Sequence, residues 1–132
     1  MSSIFTKIIQ GEIPSFKIAE NDKFIAILDA FPITKGHVLV IPKREVDYIF
    51  DLSDHEYMEL FAFAKKIALA MKKVINCNRI GISVIGLEVP HVHIHLIPIN
   101  SIDDMNFSKP KLSFEPSEMS QISKSISEQL TT

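Results

Sequence analysis

The sequence has one cysteine, no tryptophan and only four glycines in 132 residues. A lone Cys77 rules out an internal disulfide and suits a reducing compartment. Near a helix end, that thiol reads as packing rather than as a nucleophile. No apolar run approaches the roughly 20 residues that span a bilayer, so no membrane segment is expected. The opening MSSIFTKIIQGEIP meets a charge and a turn early, unlike the long apolar stretch of a signal peptide, and a cytoplasmic location is expected. A surplus of positive charge is missing as well: 14 Lys and Arg against 16 Asp and Glu leave a net charge of −2. Nucleic-acid surfaces need clustered cations, so no nucleic-acid partner is expected. The pairs Lys65-Lys66 and Lys72-Lys73 read as the solvated face of a helix. No repeat or low-complexity tract appears.

What is present is enough apolar material, 46 % of residues, to bury one core. Residues 1–132 are taken as a single domain. Residues 3–10 form an amphipathic helix stopped by Gly11. FKIAE (16–20) and FIAILDA (24–30), parted by Asn21-Asp22, predict a hairpin. HVLVIP (37–42) is a continuous apolar run, the pattern of a strand buried on both faces. Ser53 and Glu56 make a capping box, with Leu52 and Tyr57 at staple positions, and start a helix whose apolar stripe runs from Tyr57 to Ile75. RIGISVIG (79–86) and HVHIHLIPI (91–99) follow as strands joined by LEVP. After a polar loop over 100–116, Met119, Ile122, Ile126 and Leu130 mark a last helix. His55, in the first turn of the long helix, is read as a surface residue. The order predicts an α+β fold: an antiparallel sheet of about five strands, one long central helix, and short helices at both ends.

Three of the five histidines fall at alternate positions in HVHIHLIP. Successive strand side chains face opposite ways, so His91, His93 and His95 share one face while Val92, Ile94 and Leu96 anchor the other. Simple packing gives no reason for that pattern. A shared zinc ion is a rival reading, but residues four apart on a strand are about 13 Å apart, too far for one ion to take all three. His37, Cys77 and the scattered carboxylates show no ligand spacing, so no metal is expected. The third reading is nucleophilic catalysis: a neutral imidazole, His93, attacks phosphorus while a neighbouring ring donates to a phosphate oxygen or the leaving group.

The segment HVHIHLI, His91 to Ile97, resembles the signature of the histidine triad (HIT) superfamily. SIFTKIIQGEIPS, FIAILDAFPITKGHVLVIPK and GLEVPH resemble its small Hint-like branch, so the likeness covers nearly all of residues 3–99. The resemblance implies a HIT fold. It also implies hydrolysis or transfer at the α-phosphate of purine nucleoside phosphate derivatives, such as phosphoramidates or acyl adenylates, through a nucleotidyl-histidine. Hydrolysis of dinucleoside polyphosphates is an alternative within the family; a nucleotide- or partner-binding module with little catalysis is another. By the likeness His93 is the nucleophile, His95 contacts phosphate or leaving group, His91 orders the site and His37 joins the cluster. Asp29 would hold the ribose hydroxyls, Phe5, Ile8 and Ile27 the base, and Glu88 is counted with them at the nucleotide site. A homodimer through the long helix and adjoining strand is implied, and no cofactor.

Three departures stand out. Where many bacterial relatives hold zinc with two cysteines and two histidines, this chain has Ser3, Thr6 and Glu45, and only His91 is kept. The family's Gly-Gln pair is Gly86-Leu87 here, followed by Glu88, an acid that would repel a phosphate unless turned away. An asparagine usual upstream of the triad is missing, which puts the leaving-group contacts in question.

Overall fold

The computed structural model describes residues 2–130. Helix α1 (Ile4–Ile9) begins at Ser3, whose side chain accepts the N–H of Thr6, and ends before Gly11 at φ +82°, a conformation glycine adopts freely. Strands β1 (Lys17–Glu20), β2 (Phe24–Leu28) and β3 (Val38–Pro42) follow, then helix α2 (Asp54–Val74), strands β4 (Arg79–Ser83) and β5 (Ile94–Ile99), and helix α3 (Pro116–Glu128). The sheet order is β1-β2-β3-β5-β4, with every pair antiparallel. An α+β architecture with five antiparallel strands and three helices is as the sequence pattern predicts.

The pleat explains why β2 and β3 read as unbroken apolar runs. Ala26, Leu28, Val38, Val40, Ile94 and Leu96 face one way and join Leu60, Ala64, Ile67 and Met71 of α2 and Met119 and Ile126 of α3 in the larger core. Ile25, Ile27, Leu39 and Ile41 face the other way and pack with Phe5 and Ile8 of α1. Both faces are covered, so no polar alternation survives. β1 and β4 are the edge strands, and Ile82 on β4 is 55 % exposed.

Some boundaries differ from the sequence reading. β5 starts at Ile94 rather than at residue 91: its last pair with β3 is Val40 with Ile94, and two residues further along β3 Pro42 has no N–H to offer. The N–H of Val92 turns instead to the carbonyl of Val46, at 2.7 Å. β4 ends at Ser83, three residues short of expectation. The Ser53 capping box forms by one limb only: Ser53 Oγ accepts from Glu56 N, while the Glu56 carboxylate pairs with Arg44. The polar loop before α3 contains a 3-10 turn, Ile102–Met105, with a complete capping box at Ser101 and Asp104. His55 lies on the surface beside Glu59, as expected. Among the described residues no helix is long and apolar enough to cross a membrane.

Candidate functional site

The register of the sheet assembles the site. Leu28 pairs with Val38, so the next pair outward brings Asp29 opposite His37, and Asp29 N–H donates to the His37 carbonyl at 2.9 Å. Leu39 pairs with His95, which sets His37 and His95 on a cross-strand diagonal, within reach of ring side chains. A turn from Thr34 carries the chain into His37, with Gly36 at φ +88°. The backbone angle favours glycine, and a Cβ at Gly36 would also force Cδ1 of Ile75 to shift.

The hydrogen-bond partners fix where each ring holds its hydrogen. Nδ1 of His37 accepts the N–H of Ile33 at 3.2 Å, so the hydrogen of the neutral ring sits on Nε2. That Nε2–H donates to Nδ1 of His95, 2.9 Å away, leaving His95 with its hydrogen on Nε2. Nδ1–H of His93 donates to the His91 carbonyl at 2.7 Å, which leaves Nε2 of His93 with a free lone pair. A ring with a free lone pair and a ring with an N–H therefore stand side by side, with centroids 4.9 Å apart. Burial pushes His37 down to about 3, helped by the charges of Lys111 and His93. Burial does the same to His95, also to about 3, with His37 the next contributor. His93 is lowered by burial too, partly offset by the His91 carbonyl, Asp29 and Glu88. All three rings are neutral at neutral pH.

His91 lies behind the site rather than in it. It is fully buried, its Nε2–H donates to the Pro42 carbonyl at 2.7 Å, and its Nδ1 lies 2.6 Å from Ser3 Oγ, whose hydroxyl donates to it. Ser3 N–H and the Thr6 hydroxyl both donate to Oε1 of Glu45, at 2.7 and 2.6 Å. These bonds hold the Glu45 carboxyl below the usual range, the Ser3 N–H first. Ser3, Thr6 and Glu45 thus form a hydrogen-bonded clasp on His91. Hydroxyls committed in this way do not fit a zinc ion, which takes thiolate, imidazole or carboxylate.

Asp29, His37 and His95 present ligand atoms within 4.8 Å of one another, a proximity that spacing along the chain did not reveal. Asp29 Oδ2 is 3.6 Å from Nε2 of His37. A metal on that nitrogen would drive the ring hydrogen to Nδ1, against the Ile33 N–H already donating there. The bonds suit a proton passed between rings, not an ion.

His37, His93 and His95 open onto a cavity of about 460 Å³, whose walls also include Phe5, Ile8, Ile27, Asp29 and Glu88. Phe5 packs edge-on against His93, with centroids 4.8 Å apart. Ile8 and Ile27 continue the apolar wall, and Asp29 lies at its end with Oδ1 accepting from Phe31 N–H. Glu88 is exposed, as is Leu87 beside it. The larger cavity, about 840 Å³ between the end of α2 and α3, contains no histidine. Sequence reasoning missed two residues of the histidine cavity: Phe107, whose ring edge meets His95 with centroids 4.9 Å apart, and Lys111. Both sit in a loop without periodicity, where no local pattern distinguishes them.

Comparison with known proteins agrees with this geometry. The HIT domain family profile matches residues 10–102. An uncharacterised HIT-like protein of Borreliella burgdorferi is 36 % identical over 132 aligned residues, covering 94 % of this chain and 95 % of the relative. Adenosine 5'-monophosphoramidase hnt1 of Schizosaccharomyces pombe is 33 % identical, covering 98 % and 99 %. The crystal structure of a Hit-like protein involved in cell-cycle regulation from Bartonella henselae superposes with a TM-score of 0.85 at 29 % identity, covering 98 % of this chain and 96 % of that one. With its register-built histidine cluster and a family match over most of its length, the chain belongs to the histidine triad (HIT) family.

Proposed function

We propose that the chain is a nucleotide hydrolase that cleaves purine nucleoside 5'-phosphoramidates or acyl adenylates at the α-phosphorus. The observation that carries this reading is the pinned ring of His93: its Nδ1–H is tied to a carbonyl, so Nε2 keeps its lone pair on a ring that lines the cavity. A relative named adenosine 5'-monophosphoramidase supports the same class of reaction.

In the proposed reaction Nε2 of His93 bonds to the α-phosphorus as the phosphorus–nitrogen bond breaks. His95 gives its Nε2 hydrogen to the departing amine. His37, hydrogen-bonded to Nδ1 of His95, positions that donor and takes up part of the change in charge. Water then attacks the nucleotidyl-histidine, one of its protons returns to His95, and nucleoside monophosphate leaves with the His93 ring restored. His91 orders the site from behind. Asp29 holds the ribose hydroxyls and Phe5, Ile8 and Ile27 sandwich the base, while the exposed carboxylate of Glu88 stays in solvent away from the phosphate. The reaction proceeds in one domain over residues 1–132, in the cytoplasm, without a cofactor.

Met58 and Leu69 on the outer side of α2 and Ile82 on β4 are each more than half exposed, which supports pairing of two copies through these elements. A second reading, nucleotide or partner binding with little catalysis, is favoured by Leu87, 89 % exposed at the cavity rim where the family has glutamine. Incubation with adenosine 5'-phosphoramidate separates the two: steady release of AMP, lost in His93→Ala with AMP binding retained, supports the hydrolase. Binding of AMP with no turnover of any adenylated substrate supports the binding module.

A further inference from the structure

Residues 106–112 pass beside the histidines, and Phe107 and Lys111 of this segment line the cavity. The segment is tied down by Leu112 N–H donating to the Pro32 carbonyl at 2.8 Å, next to the turn that carries His37. Within it, Lys111 Nζ donates to the Phe107 carbonyl at 2.8 Å and lies 5.7 Å from the centre of the Phe107 ring. Phe107 in turn meets both His95 and His37 edge-on. Lys111 is thus held by a neutral carbonyl and a ring face, and no carboxylate among the described residues forms an ion pair with it.

Among the described residues lining this cavity, Lys111 is the sole lysine or arginine, whereas Asp29 and Glu88 are both acids. Its position is one-sided. Lys111 lies over the Phe107 ring, which meets His95 and His37 edge-on and makes no ring contact with His93 among the described residues. The Lys111 charge opposes protonation of both His37 and His95. The cation therefore stands on the side of the proton donor, not of the nucleophile. Attacking and departing atoms lie roughly in line across phosphorus, so the donor's side is where the leaving group departs.

Resting on the hydrolase reading above, we propose that Phe107 and Lys111 form a leaving-group subsite that selects nucleoside phosphoramidates whose amine carries a carboxylate. Phe107 packs the carbon chain of the amine against the donor ring, and the Lys111 ammonium meets its carboxylate. The bond chemistry is unchanged: the phosphorus–nitrogen bond breaks, the amine takes the His95 hydrogen, and the carboxylate leaves as it came.

The test compares two adenosine 5'-phosphoramidates of equal length, one made with propylamine and one with 3-aminopropanoate, on the full chain. The wild type favours the carboxylate substrate in kcat/KM by about fivefold at low salt, the scale of one partly exposed charge contact, and the preference fades as salt rises. Lys111→Met loses that preference, read as the ratio of the two kcat/KM values within the variant, and Lys111→Glu reverses it. Lys111 is exposed, and matching circular dichroism shows that both variants fold. Equal rates on the two substrates in the wild type overturn the subsite while leaving the hydrolase standing. So does an equal loss on both in Lys111→Met, which assigns the charge to the α-phosphate instead. Turnover of neither substrate by the wild type removes the hydrolase reading and the subsite with it.

Discussion

The hydroxyl of Ser3 and Nδ1 of His91, 88 residues apart in the chain, lie 2.6 Å apart in a buried contact. One bond thus ties the cap of α1 to the first histidine of the triad. The His91 carbonyl in turn holds the ring of His93. A path of single hydrogen bonds runs from the Glu45 carboxylate through Ser3 and His91 to the proposed nucleophile.

Ser3→Ala removes the donor to a buried nitrogen and the cap of a short helix together. Each loss costs about 1 kcal/mol or more, so thermal unfolding should shift down by several degrees. With His91 freed to turn, the carbonyl that pins His93 loosens, and kcat should fall more than KM rises. Ser3→Thr keeps the hydroxyl and should restore most of both. A kcat unchanged in Ser3→Ala would show that the clasp only stabilises the fold.

The buried rings set an acid limit on stability. His37 and His95 titrate near 3 when folded, whereas a free histidine titrates near 6.5. Between these values the unfolded chain binds protons that the folded chain refuses. Their contribution is therefore complete above pH 6.5 and is lost as pH falls toward 3, by about 1.4 kcal/mol per pH unit for each ring that charges only on unfolding. Glu20, held at about 2 by Lys43 and Lys17, loses its smaller contribution in the same direction at lower pH. Denaturant melts at pH 7.5, 6 and 5 should show the midpoint constant at the top of the range and falling below 6.5. His37→Asn should flatten that fall.

Gly36→Ala places a methyl against Ile75 and strains a positive φ. A loss of about 1–3 kcal/mol is expected, together with a slackened turn before His37. Trimming Ile75 to valine removes the clashing Cδ1 and should recover the part of the loss due to crowding but not the part due to φ. Full recovery would show that the backbone angle costs nothing here.

The alternating histidines and the apolar runs at β2 and β3 were legible in the sequence because each is a local repeat with one physical meaning: period two on a strand, and burial on both faces. Phe5 and Ile27 could be read as core or as cavity wall, and they are both, since the wall of the cavity is the face of the smaller core. The proximity of Asp29, His37 and His95 was legible only through the family likeness and not in the spacing of the residues, because it depends on two strand registers that no single segment encodes. His91 looked like a member of an open histidine face, yet the ladder between β3 and β5 stops at the pair of Val40 with Ile94, and that ring turns inward to Ser3 and the Pro42 carbonyl. Ser3, Thr6 and Glu45 were visible as replacements for zinc ligands, but their mutual bonds appear only in three dimensions. Phe107 and Lys111 reach the histidines through a loop whose path is set by one bond to Pro32.

The central claim is that Nε2 of His93 attacks phosphorus. Rapid quenching of the protein with an adenosine 5'-phosphoramidate, followed by intact and peptide mass spectrometry, tests it most directly. An adduct of one adenylyl group on the His93 peptide, formed and consumed at rates matching turnover and missing in His93→Ala, is the predicted result. AMP release at the wild-type rate by His93→Ala, or an adduct on any other residue, would contradict it.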